Sequence, residues 1–416
     1  MNVMRARVLA TLLISAAVVA QAPPPRDRAW REDLAFFARE FPARQLDFAK
    51  LYPKDRFDSE IDAITRAIPT ATDAEIVLSL MRLVASAHVG HTNLRWPEGS
   101  LAFHRLPLGL QWYSDGLAIT AATEPYREAL GLRVSSIGTM TPEQLEAAVA
   151  PYLAYEDDGW LHQLSQSAML MEEILRALGQ VETDGRVAIT LARPDGTTTT
   201  LRVAAVPWAD RSRLVTAVEA LGIPVGPARI EPLRYYRYEI LAGTKTLYIR
   251  YNRCADDPRQ PFADFAKELL AKVDANPSGV ERVVIDLRAN GGGNSQVIEP
   301  LLTGLHARKS LSAKGRLYAL VGPGTFSSGL LAVIKLRHDL NAVVVGEPPG
   351  ERLNSYGEVR PLTLPNSHLN VQYSTKYFTL VKGGAAYFEP DMVVRTSIAD
   401  WRAGNDPVLG AALTHR

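Results

Sequence analysis

Arg316-Leu317-Tyr318-Ala319-Leu320-Val321 runs without a break into Gly322-Pro323-Gly324-Thr325-Phe326-Ser327-Ser328-Gly329-Leu330-Leu331-Ala332. An apolar run, a glycine-rich turn and a second apolar run predict a strand, a tight turn and a helix. Ser327 then sits where strand becomes helix. That position exposes a hydroxyl, and the amides and dipole of the following helix favour a nearby oxyanion. These are the mechanics of a nucleophile elbow, although Thr325 stands where the Gly-x-Ser-x-Gly form has its first glycine. Serine is also a favoured helix N-cap, and the segment alone favours that plainer role.

The same rhythm extends to both sides. Lys245–Tyr251, Val280–Leu287 and Ala342–Val345 read as strands, and Phe262–Asp274, Ser295–Leu305 and Ser327–Leu336 as helices. Alternation of this kind predicts a parallel sheet covered on both faces, with its functional loops at the carboxyl ends of the strands. One such loop is Asn290-Gly291-Gly292-Gly293-Asn294, directly after the buried run Val284-Ile285-Asp286-Leu287. Its amides could converge on an anion. The Lys-[Ser/Thr] of a P-loop is missing, so an oxyanion hole fits better than a phosphate cradle. A tight turn needing positive φ explains the glycines as well.

Upstream the patterning changes twice. From Trp30 to about Ser86 it is helical, with Leu34, Phe36, Phe37 and Phe41 in one cluster and Ile61, Ile64 and Ile68 in another. Thr72 and Glu75 form a capping box ahead of the apolar run Ile76–Val84. This segment delivers Ser86-Ala87-His88-Val89-Gly90-His91-Thr92. Two histidines three apart suggest metal ligands, but no HExxH and no third ligand accompany them, and a structural histidine is the default reading. Between about 101 and 206, short strands (Leu108–Trp112, Leu117–Thr123, Leu132–Ile137, Val187–Ala192, Thr198–Ala205) surround a helix opened by Pro142. Pro224–Pro232 reads as a linker.

Together these pieces resemble one family, the S41 serine peptidases, which include the C-terminal (tail-specific) processing and tricorn proteases. The resemblance rests on Val-Val-Ile-Asp-Leu-Arg-Ala-Asn-Gly-Gly-Gly (283–293), Thr-Phe-Ser-Ser-Gly (325–329) and Val-Val-Gly-Glu-Pro (344–348), strongest over roughly 240–395. Gly346 follows Ser327 by nineteen residues, as in the family. Gly90-His91-Thr92 resembles the family's upstream Asp-x-His-Thr segment, with Val89 in place of the aspartate. The tail-specific branch uses a Ser–Lys dyad, but its lysine position is Arg352 here, which cannot deprotonate. The tricorn-like branch uses histidine with an orienting carboxylate. The resemblance therefore implies Ser327 as nucleophile, His91 as base, Glu389 or its competitor Glu358 as the orienting carboxylate, and the amides of Ser328 and Gly292 as oxyanion donors.

The expected fold class is α/β in a multidomain α+β layout. Residues 21–100 form a helical N-terminal domain, 101–222 a β-rich module in the PDZ position, and 233–416 an S41-type ClpP/crotonase-like βα core. The implied activity is peptide-bond hydrolysis with no cofactor or metal. Two alternatives remain: a decayed S41-fold carrier for apolar ligands, or a serine esterase. Composition adds exclusions. Lys and Arg number 46 against 45 Asp and Glu, a net charge of +1 that offers no footprint for nucleic acid or an anionic membrane. Cys254 is the only cysteine, so no internal disulfide or thiolate metal site can form, and a small packed residue is expected there. Arg5 and Arg7 followed by the apolar Val8–Ala20 read as a signal peptide (1–20) cut after Ala20, which implies export to periplasm or medium and no membrane span in the mature chain. The expected partner is a peptide or protein substrate. The oligomeric state is not encoded in any pattern found.

Overall fold

Alternate residues of the central strands face two different cores. The computed structural model describes residues 25–210, 213–276, 278–383 and 386–415; the expected signal peptide lies outside them. Six strands form one sheet in chain order: Tyr236–Leu241, Thr246–Tyr251, Arg282–Asp286, Leu317–Val321, Val343–Gly346 and Met392–Val393. The first pair is antiparallel and the rest are parallel. Leu247, Ile249, Val283, Ile285, Leu317, Ala319 and Val344 face the helices Phe262–Ala275, Glu299–Ala307 and Ser328–Leu340. Tyr248, Val284, Tyr318, Leu320 and Val345 face the opposite way, onto Val408, Leu409 and Ala412 of the C-terminal helix Pro407–Thr414. The two-residue period of a strand makes this division. Because successive strands are neighbours in order, crossovers of one hand stack their helices on a single face.

A second core spans the N-terminal helices and the middle module. Helices Arg26–Arg44, Lys54–Ala67 and Asp73–Ala85 pack around Leu34, Phe37, Phe41, Phe57 and Ile61. The capping box at Thr72 and Glu75 is present. The middle module is an antiparallel sheet of Leu108–Tyr113, Gly116–Ala122, Arg133–Ile137, Arg186–Ala192 and Thr198–Ala204, with Val215–Thr216 added on Gly116–Ala122. Helices Pro142–Val149 and Asp158–Ala168 lie within it.

One element joins the ends of the chain. A long hairpin, Asn354–Thr363 with Asn370–Thr379, lies in sequence between the last two strands of the central sheet yet places Leu362, Leu364, Leu369, Val371 and Tyr373 in the N-terminal core. Its second strand pairs with Asn93–Leu94, Asn93 opposite Gln372 and Leu94 opposite Val371. Thr92 adds to the seam, its hydroxyl bonding Gln45 Oε1 at 2.9 Å and Ser374 Oγ at 3.0 Å. This pairing carries the segment containing His91 across to the carboxyl ends of the parallel strands. Among the described residues no helix is long and apolar enough to cross a membrane.

Candidate active site

Three loops at the carboxyl ends of adjacent parallel strands build the site: the turn after Asp286, the turn after Val321 and the loop after Gly346. The first is pinned from below. Asp286 is buried and accepts from Tyr248 Oη at 2.6 Å and Arg288 Nη2 at 2.6 Å, while Arg288 reaches Asp406 at the start of the C-terminal helix, 2.8 Å away. The Asp-Leu-Arg part of the motif is thus a brace for the glycine turn.

Ser327 has φ 55° and ψ −128°, a left-handed conformation that costs a side-chain-bearing residue strain and is found at strand-to-helix nucleophile turns. It occupies the N-cap position of Ser328–Leu340, yet its side chain makes no capping hydrogen bond. Its Oγ instead lies 3.0 Å from His91 Nε2. The geometry answers the choice left open by the sequence: this hydroxyl faces the imidazole and not the helix end.

His91 is buried on a turn and stacks on Phe326, with centroids 4.6 Å apart and planes at 27°. Phe326 in turn stacks on Trp160 at 4.1 Å and 6°. The approach is close: a Cβ on Gly90 would lie 2.9 Å from Phe326 Cζ. Burial pushes the His91 imidazole down to about 4, so the ring is neutral and able to accept a proton at neutral pH.

The carboxylate next to His91 is Glu351, which the sequence reading did not weigh. Its Oε1 is 3.7 Å from His91 Nδ1, too long for a hydrogen bond, and among the described residues Nδ1 has no hydrogen-bond partner. Oε1 also accepts from Ser355 Oγ at 2.8 Å, and Oε2 accepts the backbone N–H of Ser327 itself. Burial raises the Glu351 carboxyl to about 8. Glu389 is placed elsewhere: it is exposed, and its carbonyl accepts from Arg337 Nη1 at 2.9 Å. Glu358 is exposed as well. The competition expected between those two gives way to Glu351 because the loop after Gly346 folds back over Ser327 before the hairpin begins.

Of the two expected oxyanion donors, Ser328 opens the helix, where its N–H has no intrahelical acceptor. Gly292 is against Ser327, with φ +104°, and a Cβ there would be 2.7 Å from Ser327 Cβ. Its N–H, however, donates to Asn290 Oδ1 at 2.9 Å, which gives Gly292 a spacing role in this conformation. Arg352, at the dyad-lysine position, is exposed, with its guanidinium 5.7 Å from the Tyr387 ring centroid. Cys254 is buried beside Asn290, and burial pushes its thiol up, as suits a packed residue. A cavity of about 940 Å³ runs alongside the site, walled by Trp160, Gly291 and Gly322–Gly324 and by Trp112 and His162 of the middle module.

The architecture matches solved structures of CPAF. Mature CPAF complexed with lactacystin aligns at a TM-score of 0.63 and 12% identity, over 93% of this chain and 98% of that one. The s499a mutant of CPAF gives 0.62 and 12%, over 94% and 98%, and mature CPAF alone gives 0.60 and 13%, over 91% and 94%. The chain has the CPAF fold. CPAF is among the S41 proteases, so the fold expected from the sequence resemblance is the one observed, helices and sheets together in an α/β multidomain arrangement. At such identities the shared property is architecture. No protein-family model and no curated protein matches the chain.

Proposed function

We propose that the chain is an exported serine peptidase acting through an acyl-enzyme on Ser327. The observation that carries this reading is the 3.0 Å approach of His91 Nε2 to Ser327 Oγ, held on a strained strand-to-helix turn. A nucleophile within hydrogen-bond reach of a neutral base is the requirement for activating a serine. His91 takes the Ser327 proton as Oγ attacks the substrate carbonyl, then returns it to the leaving amine. The Ser328 N–H, at the positive end of its helix, stabilises the oxyanion, a task worth on the order of 3 kcal/mol for one donor. Glu351 takes the orienting role and closes on Nδ1 as positive charge develops on the ring. Export rests on the basic and apolar segment ending at Ala20. The CPAF fold supports the peptidase class.

The test is labelling with a fluorophosphonate probe, beside Ser327→Ala and His91→Ala. Wild type should label at Ser327, and neither variant should. An unlabelled wild type sinks the reading and favours the decayed carrier. A labelled protein that turns over esters and no peptide favours the esterase.

A further inference from the structure

Glu156, from the middle module, reaches into the site and bonds the backbone on either side of it. It is buried, and its two oxygens accept one backbone amide each: Gly90 N–H on Oε1 at 3.0 Å and Arg352 N–H on Oε2 at 3.2 Å. Gly90 is the residue before His91, and Arg352 is the residue after Glu351. A single carboxylate therefore ties the backbone of the base to the backbone of the carboxylate that faces it. Its own carbonyl accepts from Tyr387 Oη at 3.1 Å, which anchors the tie on a third segment.

The next residues of the same segment hold His91 from its ring face. Asp157 caps the helix Asp158–Ala168 by accepting Trp160 N–H at 2.7 Å. Trp160 then stacks on Phe326, which stacks on His91. Residues 156–160 thus restrain the imidazole twice, once through the backbone of its own loop and once through its ring.

We propose that Glu156 is a positioning residue that fixes the His91–Glu351 separation by bridging the amides of Gly90 and Arg352, so that the middle module completes the catalytic constellation. The proposal rests on the peptidase reading for its catalytic meaning, and on geometry alone for the bridge. Glutamine is the incisive substitute. It keeps the size and one acceptor oxygen but sets an NH₂ against the second amide, a donor facing a donor. A carboxylate that merely glued two segments would lose stability on replacement and leave the imidazole as it was.

The experiment compares wild type, Glu156→Gln and Glu156→Asp by ring-nitrogen NMR of the histidines, with His91 assigned by the signals missing in His91→Ala. Fluorophosphonate labelling rates and thermal melts are recorded on the same samples. Glu156→Gln should shift the His91 titration midpoint and slow labelling about 10- to 100-fold, the loss expected for a misplaced base. Glu156→Asp, too short to span both amides, should fall between, and serves as the readout if the glutamine variant does not fold. Unchanged His91 signals with an unchanged labelling rate overturn the proposal, as does a lowered melt with unchanged His91 signals. If wild type itself does not label, the peptidase reading fails, and the NMR comparison still decides the bridge.

Discussion

Glu351 Oε1 stands 3.7 Å from His91 Nδ1 while its other oxygen holds the backbone N–H of Ser327. One side chain thereby approaches both halves of the proposed catalytic pair, and it is buried with a carboxyl raised to about 8.

The pH profile follows from these two groups. His91, lowered to about 4, loses its proton well below neutrality, and Glu351 ionises only near 8. In the free enzyme kcat/KM should rise through pH 4 and rise again toward pH 8 as the orienting carboxylate gains its charge. A profile with its acid limb near 6.5 would contradict the buried neutral imidazole.

Stability should move the other way. A carboxyl raised from 4.5 to about 8 binds its proton more tightly in the folded protein, so its contribution falls as pH rises between those values. Glu351→Gln removes that dependence. The melting temperature of the variant should gain on wild type between pH 5 and pH 8, while kcat measured above pH 8, where the wild-type carboxylate is charged, falls on the order of 10³-fold or more through loss of the orienting charge. Parallel melting curves at both pH values would refute the assignment.

Gly292 should tolerate no side chain. A Cβ at φ +104° would sit 2.7 Å from Ser327 Cβ and 3.0 Å from Ser328 N. Gly292→Ala should cost about 1–3 kcal/mol in strain and displace the nucleophile. The check is urea unfolding together with fluorophosphonate labelling, and retention of both wild-type values would show that the turn yields freely.

The brace beneath the glycine turn should be a stability element. Asp286→Ala strips Tyr248 and Arg288 of a buried acceptor and should cost about 3 kcal/mol, the lower range for breaking a buried pair. An unchanged urea midpoint would show that Asp406 alone suffices for Arg288.

The N-terminus can be read directly by mass. Chain recovered from outside the cytoplasm should begin at Gln21. Recovery of the uncleaved chain would remove the argument for a signal peptide.

Four of the six central strands were legible as largely apolar runs, a pattern that local chemistry dictates, whereas Tyr236–Leu241, which carries Arg237 and Glu239, and the two-residue Met392–Val393 were not. Ser327 and His91 were legible only jointly, through three short motifs, since a serine at a helix start and a lone histidine each have an ordinary structural reading. Glu351 was not legible. It lies between Gly350 and Arg352, outside the three motifs that carry the resemblance. The available cue was a carboxylate in the loop at the carboxyl end of the strand Val343–Gly346. The hairpin was hidden for a different reason. Gly357 and Pro361 interrupt its first strand, and the four consecutive exposed residues Glu358–Pro361 break the alternation that marks a half-buried strand. Glu156 could not have been found at all, because its partners are backbone amides that carry no sequence mark.

The pairing of Asn93–Leu94 with Asn370–Thr379 sets a condition on when His91 can meet Ser327. Synthesis runs from the amino end, so His91 is made early, and the strand that draws it into place is made only after Ser327 and the strand Val343–Gly346. An emerging or prematurely terminated polypeptide can hold the histidine, or even the serine, without holding them together. The proposed catalytic pairing is therefore complete only once the hairpin has been made, and a nascent chain that lacks it carries the two residues unassembled.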